Sequence, residues 1–177
     1  MRGYYKKEAE TAEALVGGWL HTGDIGHLDG EGFLVITDRK KDLIVTAGGK
    51  NVAPQPIENL LKQSPYIAQA VVVGARRKFI SVLIVPNFEK LEAYARERGI
   101  PFIEDRDLCA RADIQEFIRA EIDRCTPGLA SYEKIKKIIL LDREFDIERD
   151  ELTPTLKVKR ARVEEKYKDM IDALYKD

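Results

Sequence analysis

Lys157 stands in Glu151-Leu152-Thr153-Pro154-Thr155-Leu156-Lys157-Val158-Lys159-Arg160, after a proline-stiffened turn and ahead of a basic, periodic segment. A primary ammonium on a flexible stem can follow the negative charge that builds on phosphate oxygens during phosphoryl or nucleotidyl transfer. Pro154 restricts the preceding backbone and so helps to place that stem. The competing reading is a surface lysine before a terminal helix, with Lys159 and Arg160 as equally solvated neighbours. A second basic cluster, Asp38-Arg39-Lys40-Lys41-Asp42, lies far upstream beside Gly48-Gly49. Together the two clusters suggest a small domain that brings positive charge to a phosphorylated substrate held mainly by another body of protein.

Asp24 follows a Thr-Gly pair, where the backbone can turn sharply and leave a carboxylate pointing outward. Its two oxygens can accept from two adjacent ribose hydroxyls, although a turn-capping aspartate reads the same way. Arg39 offers a planar donor fork for that sugar or the neighbouring phosphate. The alternative for Arg39 is an exposed ion pair with Asp38 or Asp42. Gly48-Gly49 is not a nucleoside-triphosphatase phosphate loop, because Gly49-Lys50-Asn51 lacks the required Gly-Lys-Ser or Gly-Lys-Thr ending. Backbone that lines a narrow tunnel is one use for these glycines, and a plain tight turn is the other.

His21 and His27 flank Asp24 without further ligands at metal-site spacing, so no metal residue is assigned. Cys109 and Cys125 lack a partner histidine in sequence and read as packing residues. Arg76-Arg77-Lys78 reads as a solvated turn between strands, with an anion contact as the rival reading.

These residues need elements to position them. Residues 6–15 are polar and alanine-rich and read as a short helix or an extension. Asp29-Gly30-Glu31-Gly32 predicts a hairpin turn leading into the strand Phe33-Leu34-Val35-Ile36-Thr37. Leu43-Ile44-Val45-Thr46 predicts a strand, and Pro54 and Pro56 open a helix with Ile57, Leu60 and Leu61 on one face. Ala70-Val71-Val72-Val73 and Phe79 to Val85 predict an antiparallel pair. Asn87 caps a helix carrying Phe88, Leu91, Tyr94 and Ala95. Asp113-Ile114-Gln115-Glu116 has capping-box spacing before the stripe Ile114, Phe117, Ile118 and Ile122. Residues 137–141 predict another strand. Val163, Tyr167, Met170, Ile171 and Leu174 recur at helical intervals. The expected fold class is α+β, a small mixed or antiparallel sheet flanked by helices, from about residue 39 onward.

With 177 residues the chain fits one ordinary domain, or one domain with an appendage, and its 44% apolar content suffices for a core. Lys plus Arg is 30 and Asp plus Glu is 31, so no overall charge attracts nucleic acid or anionic membrane. No apolar run approaches the roughly 20 residues of a membrane span, and Met1-Arg2-Gly3-Tyr4-Tyr5-Lys6-Lys7 has no signal-peptide core behind it. A cytoplasmic location is the expectation.

Four blocks in order resemble the carboxyl-terminal part of an adenylate-forming (AMP-binding) acyl-CoA synthetase, most like a long-chain fatty-acid–CoA ligase. They are Gly18-Trp19-Leu20-His21-Thr22-Gly23-Asp24, Asp38-Arg39-Lys40-Lys41-Asp42, Gly48-Gly49-Lys50-Asn51-Val52-Ala53-Pro54 with Ile57-Glu58, and Leu152-Thr153-Pro154-Thr155-Leu156-Lys157. The resemblance covers essentially the whole chain. It implies that residues 1–37 are the distal end of a large amino-terminal domain, 38–42 a hinge, and 43–177 a mobile lid, with a β-hairpin remnant ahead of the lid. Asp24 and Arg39 would hold AMP or ATP, Lys41 would be the hinge position, and Lys157 the catalytic lysine of adenylation. Gly48, Gly49 and Lys50 would form the loop on the CoA channel. Where many relatives have Ser-Gly or Thr-Gly before that lysine, this chain has Thr155-Leu156. That form, with the longer segment around 88–126, resembles the long-chain branch.

The resemblance further implies ATP and Mg²⁺, with CoA as co-substrate, in a full-length enzyme, and no cofactor held tightly by the lid alone. Its partners would be the large domain, fatty acid, ATP and CoA, with no nucleic acid. The uncovered lid, expected to be inactive alone, could seek a second copy of itself, and the full-length parent could associate peripherally with membrane. Transfer to a carrier-protein thiol, formation of acyl-AMP alone, and a non-catalytic interaction module are the alternatives.

Overall fold

The computed structural model describes residues 1–176. They divide into two compact units, one over Met1–Leu43 and one from Ile44 onward.

In the first unit, α1 (Glu8–Ala14) precedes a short hairpin of β1 (Leu15–Val16) and β2 (Trp19–Leu20). A longer antiparallel pair follows, β3 (Asp24–Leu28) with β4 (Leu34–Arg39), closed by the expected turn. There Asp29 Oδ1 accepts from the Glu31 and Phe33 N–H groups, both at 2.9 Å. A 3₁₀ turn at Lys40–Asp42 ends the unit. No apolar side chain among residues 1–43 is buried, and Trp19 is 77% exposed and Phe33 65% exposed. A two-stranded ribbon has too little apolar face to fold by itself, so the unit lacks a core of its own.

The second unit opens with the small antiparallel pair β5 (Ile44–Val45) and β6 (Asn51–Val52), which encloses Gly48-Gly49. Next come α2 (Pro54–Leu61), β7 (Ile67–Val73) and β8 (Ser81–Pro86). Then follow α3 (Phe88–Glu97), α4 (Asp105–Ala110), α5 (Ala112–Cys125), β9 (Lys137–Leu140), α6 (Arg160–Lys166) and α7 (Lys168–Leu174). The sheet order is β7-β8-β9, with β7 antiparallel and β9 parallel to β8. This is the mixed sheet flanked by helices that the pattern predicts.

Successive strand residues point to opposite faces, and here both faces are covered. Ala70, Val72, Val82 and Ile84 join Ile57, Leu61, Leu91, Leu108, Ile114 and Ile118 in one core. Val71, Val73, Leu83 and Val85 join Ile139, Leu141, Leu152, Val163 and Ile171 in the other. Double burial is why β7 and β8 read as unbroken apolar runs. Each fully buried aliphatic side chain supplies about 1.5–3 kcal/mol of transfer free energy.

Two local expectations are corrected. The capping box lies at Glu104 and Asp107, at the start of α4. Asp113 instead sits inside the first turn of α5, where Arg111 binds it at 2.7 Å. The terminal helical pattern is split at Tyr167 into α6 and α7. The Asn87 cap is as expected, accepting from the Lys90 N–H at 3.2 Å.

Candidate functional site

Asp24 opens β3 and Arg39 closes β4, so the antiparallel register sets them opposite each other. Arg39 Nε lies 3.1 Å from Asp24 Oδ1. The Lys40 N–H donates to the Gly23 carbonyl at 2.8 Å, and the Asp24 N–H to Thr22 Oγ1 at 3.1 Å. Gly23 has φ +76, a conformation that costs glycine little. Arg39 therefore pairs with the other proposed sugar-binding residue, while its backbone N–H donates to Asp38 Oδ1 at 2.7 Å. Lys40, Asp24 and Gly23 line part of an open cavity of about 1050 Å³, with Trp19, His21 and Tyr4 elsewhere on its wall. Lys41 is exposed in the 3₁₀ turn, just before the division between the two units.

Lys157 lies at the rim of a tight loop in the second unit. Leu152 and Val158 bridge its base. Thr153 N–H donates to the Lys157 carbonyl at 2.8 Å, Leu156 N–H to the Thr153 carbonyl at 2.9 Å, and Lys157 N–H to Thr153 Oγ1 at 3.0 Å. Leu156 has φ +59, the left-handed conformation that glycine adopts without penalty. The Thr155-Leu156 departure thus keeps a backbone shape suited to the more usual glycine. Lys157 is exposed, and among the described residues its ammonium has no ion pair or hydrogen bond.

Its basic neighbours behave differently. Lys159 pairs with Asp150, and Arg160 Nη2 binds Glu58 Oε1 at 2.6 Å while Arg160 Nη1 donates to the Val72 carbonyl at 2.6 Å. Glu58 Oε1 also accepts from the Val72 N–H at 2.8 Å. Burial pushes the Glu58 carboxyl above its ordinary value, against the pull of the Arg160 charge. On the other side of the loop, Glu151 is wholly buried. It accepts from Arg143 at 2.6 and 2.9 Å and from the Asp146 N–H at 3.1 Å, and it pairs with Lys166 at 2.8 Å. Burial alone would raise its carboxyl, but these donors outweigh it and hold the value down to about 2. Sequence reasoning missed both clamps. A signal was present for one of them, since Glu58 lies within the apolar stripe of α2.

Gly48, Gly49 and Lys50 form the β5–β6 turn. Thr46 closes it through Gly49 N–H to its carbonyl at 2.9 Å and Lys50 N–H to its Oγ1 at 3.2 Å. Gly49 has φ +72, and Lys50 Nζ lies 5.8 Å from the Tyr132 ring. Beside Ala47 is a cavity of about 340 Å³ lined by Arg76, Arg77, Lys78, Phe79, Lys137 and Tyr175. Arg77 is not the solvated turn residue expected, because it pairs with Asp172 and lies 4.9 Å from the Tyr175 ring.

Both cysteines are buried, and burial pushes the Cys109 thiol up to about 12, which suits packing rather than nucleophilic attack. Among the described residues no group of three or more His, Cys, Asp or Glu side chains is placed to hold a metal ion. No helix of the described residues is long and apolar enough to cross a membrane.

Residues 41–177 match the model of the AMP-binding enzyme C-terminal domain family. The chain is 42% identical over 174 residues to long-chain-fatty-acid–CoA ligase FadD15 of Mycobacterium tuberculosis, covering 98% of this chain and 29% of that protein. It is 39% identical over 194 residues to long-chain-fatty-acid–CoA ligase ACSBG1 of Mus musculus, covering 99% of this chain and 27% of the relative. Among solved structures it resembles the A domain of a carboxylic acid reductase from Segniliparus rugosus in complex with AMP and a co-purified carboxylic acid. That match has TM-score 0.82 and 26% identity, and covers 99% of this chain and 26% of the other. The chain therefore spans 29% or less of the length of these relatives.

Proposed function

The chain belongs to the AMP-binding enzyme C-terminal domain family, and from that premise we propose that the full-length protein carrying it activates a long-chain fatty acid with ATP and transfers the acyl group to CoA. Residues 1–37 are the end of the large domain, 38–42 the hinge, and 43–177 the lid. The fatty carboxylate attacks the α-phosphorus of ATP, and the P–O bond to pyrophosphate breaks. Lys157 meets the charge that develops on the phosphate oxygens. Asp24 accepts from the ribose hydroxyls, while Arg39 stays against Asp24 and reaches the sugar or phosphate. The lid then turns about Lys41, which withdraws Lys157 and brings forward the loop of Gly48, Gly49 and Lys50. The CoA thiolate attacks the acyl carbonyl and AMP leaves. Mg²⁺ would accompany ATP in the full-length enzyme and neutralise part of its phosphate charge.

One observation carries the reading. Among the described residues Lys157 keeps an unpartnered ammonium on an exposed, hydrogen-bonded loop, whereas Lys159 and Arg160 beside it are tied down. A merely solvated basic segment has no need of that division. The cations around the cavity beside Ala47 suit a phosphate-bearing co-substrate. ATP–pyrophosphate exchange in the full-length protein tests the lysine: Lys157→Ala should lower it by about 10²–10³-fold, the scale for removing one donor to developing charge. Unchanged exchange would return the chain to the non-catalytic reading.

The likeness to a carboxylic acid reductase A domain, found in another structure as an A-PCP didomain, supports a second reading of the acceptor. In it the acyl group passes to a carrier-protein thiol. Thioester formation only with carrier protein, and none with free CoA, would select that reading.

A further inference from the structure

We infer that Asp172 and Tyr175, at the carboxyl-terminal end of the chain, are positioning residues for the Gly48-Gly49 loop, acting through Arg77. The inference rests on the proposed role of that loop in the CoA step. Residues 46–50 close on themselves through Thr46, which shapes the turn but does not anchor it. Anchorage comes from two backbone hydrogen bonds to the β7–β8 connection. The Ala47 N–H donates to the Arg77 carbonyl, and the Arg76 N–H to the Val45 carbonyl, both at 2.8 Å.

That connection is itself an awkward piece of backbone. Arg76 has φ +59, a left-handed conformation that costs a side-chain-bearing residue about 1–2 kcal/mol. Something must hold it. The Arg77 N–H reaches the Gly74 carbonyl at 3.0 Å, and the Arg77 guanidinium is gripped by the Asp172 carboxylate of α7 and by the ring of Tyr175, the residue just after that helix. The grip is fixed in turn. Tyr175 packs on Phe79 with ring centroids 4.9 Å apart, and Lys137 Nζ donates to the Leu174 carbonyl at 2.5 Å. A continuous chain of contacts therefore runs from α7 through Arg77 to Ala47, next to Gly48. The lysine loop is held separately by Glu58 and Glu151, so loosening the α7 grip should disturb one loop and spare the other.

Two measurements test this. In the present chain, Asp172→Asn should speed amide exchange at Ala47 and Arg76 about 3- to 10-fold while leaving Val72 and Val82 protected. In the full-length protein, Asp172→Asn and Tyr175→Leu should each raise the KM for CoA about 3- to 10-fold with ATP–pyrophosphate exchange unchanged, and Asp172→Glu should restore it. Gly49→Ala is the reference, because it strains the loop directly at φ +72. If Gly49→Ala impairs thioester formation selectively but both Asp172→Asn and Tyr175→Leu leave it unaltered, the positioning role is wrong. Equal losses in both half-reactions from Asp172→Asn would also overturn it, as a general structural effect. If Gly49→Ala itself leaves the CoA step untouched, the proposed use of the loop fails instead.

Discussion

The Arg160 guanidinium binds Glu58 Oε1 at 2.6 Å and, with its other terminal nitrogen, the Val72 carbonyl at 2.6 Å. The contact joins two blocks that lie far apart in the chain: the glycine-loop block ending at Ile57-Glu58 and the lysine block ending at Lys157. Arg160 is three residues beyond Lys157, so the same side chain fixes the exit of the lysine loop against α2 and β7.

Lysine cannot make that two-pronged contact, because a single ammonium lacks the planar fork. Arg160→Lys should therefore cost about 1–3 kcal/mol of stability, the range for losing hydrogen bonds to a buried charged group. Urea denaturation of the chain measures it. In the full-length protein the loosened loop should lower ATP–pyrophosphate exchange about tenfold, a modest misplacement penalty. An unchanged urea midpoint would show that the clamp is dispensable.

Glu151 makes the fold acid-sensitive in a definite direction. Its folded-state value, held down to about 2 by Arg143, Lys166 and the Asp146 N–H against its burial, lies below the ordinary 4.5. The unfolded chain therefore takes up this proton first as pH falls. Stabilisation is complete above about pH 4.5 and disappears progressively toward pH 2, amounting to about 3 kcal/mol. Glu151→Gln should be less stable at neutral pH and should lose that part of the acid slope. Parallel stability-versus-pH curves for the two proteins would contradict this.

Leu156 carries the cost of a left-handed backbone, about 1–2 kcal/mol, which glycine would relieve. Glycine also adds about 0.5–1 kcal/mol of unfolded-chain entropy. Leu156→Gly should consequently stabilise the chain by up to about 1 kcal/mol, whereas the β-branched Leu156→Val should destabilise it. Thermal melts of the pair decide the sign.

Lys41 tests the proposed rotation. Proline at that position would fix its φ and restrict Lys40 as well. Lys41→Pro in the full-length protein should slow thioester formation far more than adenylation. Equal slowing of the two steps would reject the hinge.

Local patterns made much of this architecture legible. Alternating and unbroken apolar runs mark β7, β8 and β9, Asn87 marks its helix start, and the glycines mark the turns, because each depends on neighbours in sequence. Asp24, Arg39 and Lys157 stand out in sequence by residue type and by their blocks, and the roles proposed for them rest on those blocks. The capping-box spacing at Asp113 misled because Arg111, two residues away, takes that carboxylate first. The break at Tyr167 was hidden because apolar spacing continues through it.

What the sequence by itself determined is the family and the order of elements, both of which reside in short-range pattern, and it nominated the side chains proposed for the chemistry. Only the tertiary structure decided which cations stay unpaired. Arg160 finds Glu58, Arg77 finds Asp172 and Arg39 finds Asp24 across long stretches of chain, while Lys157 finds none among the described residues. The reason is that a charged group's partner is set by distance in space and by exclusion of water, and neither is a property of position along the chain.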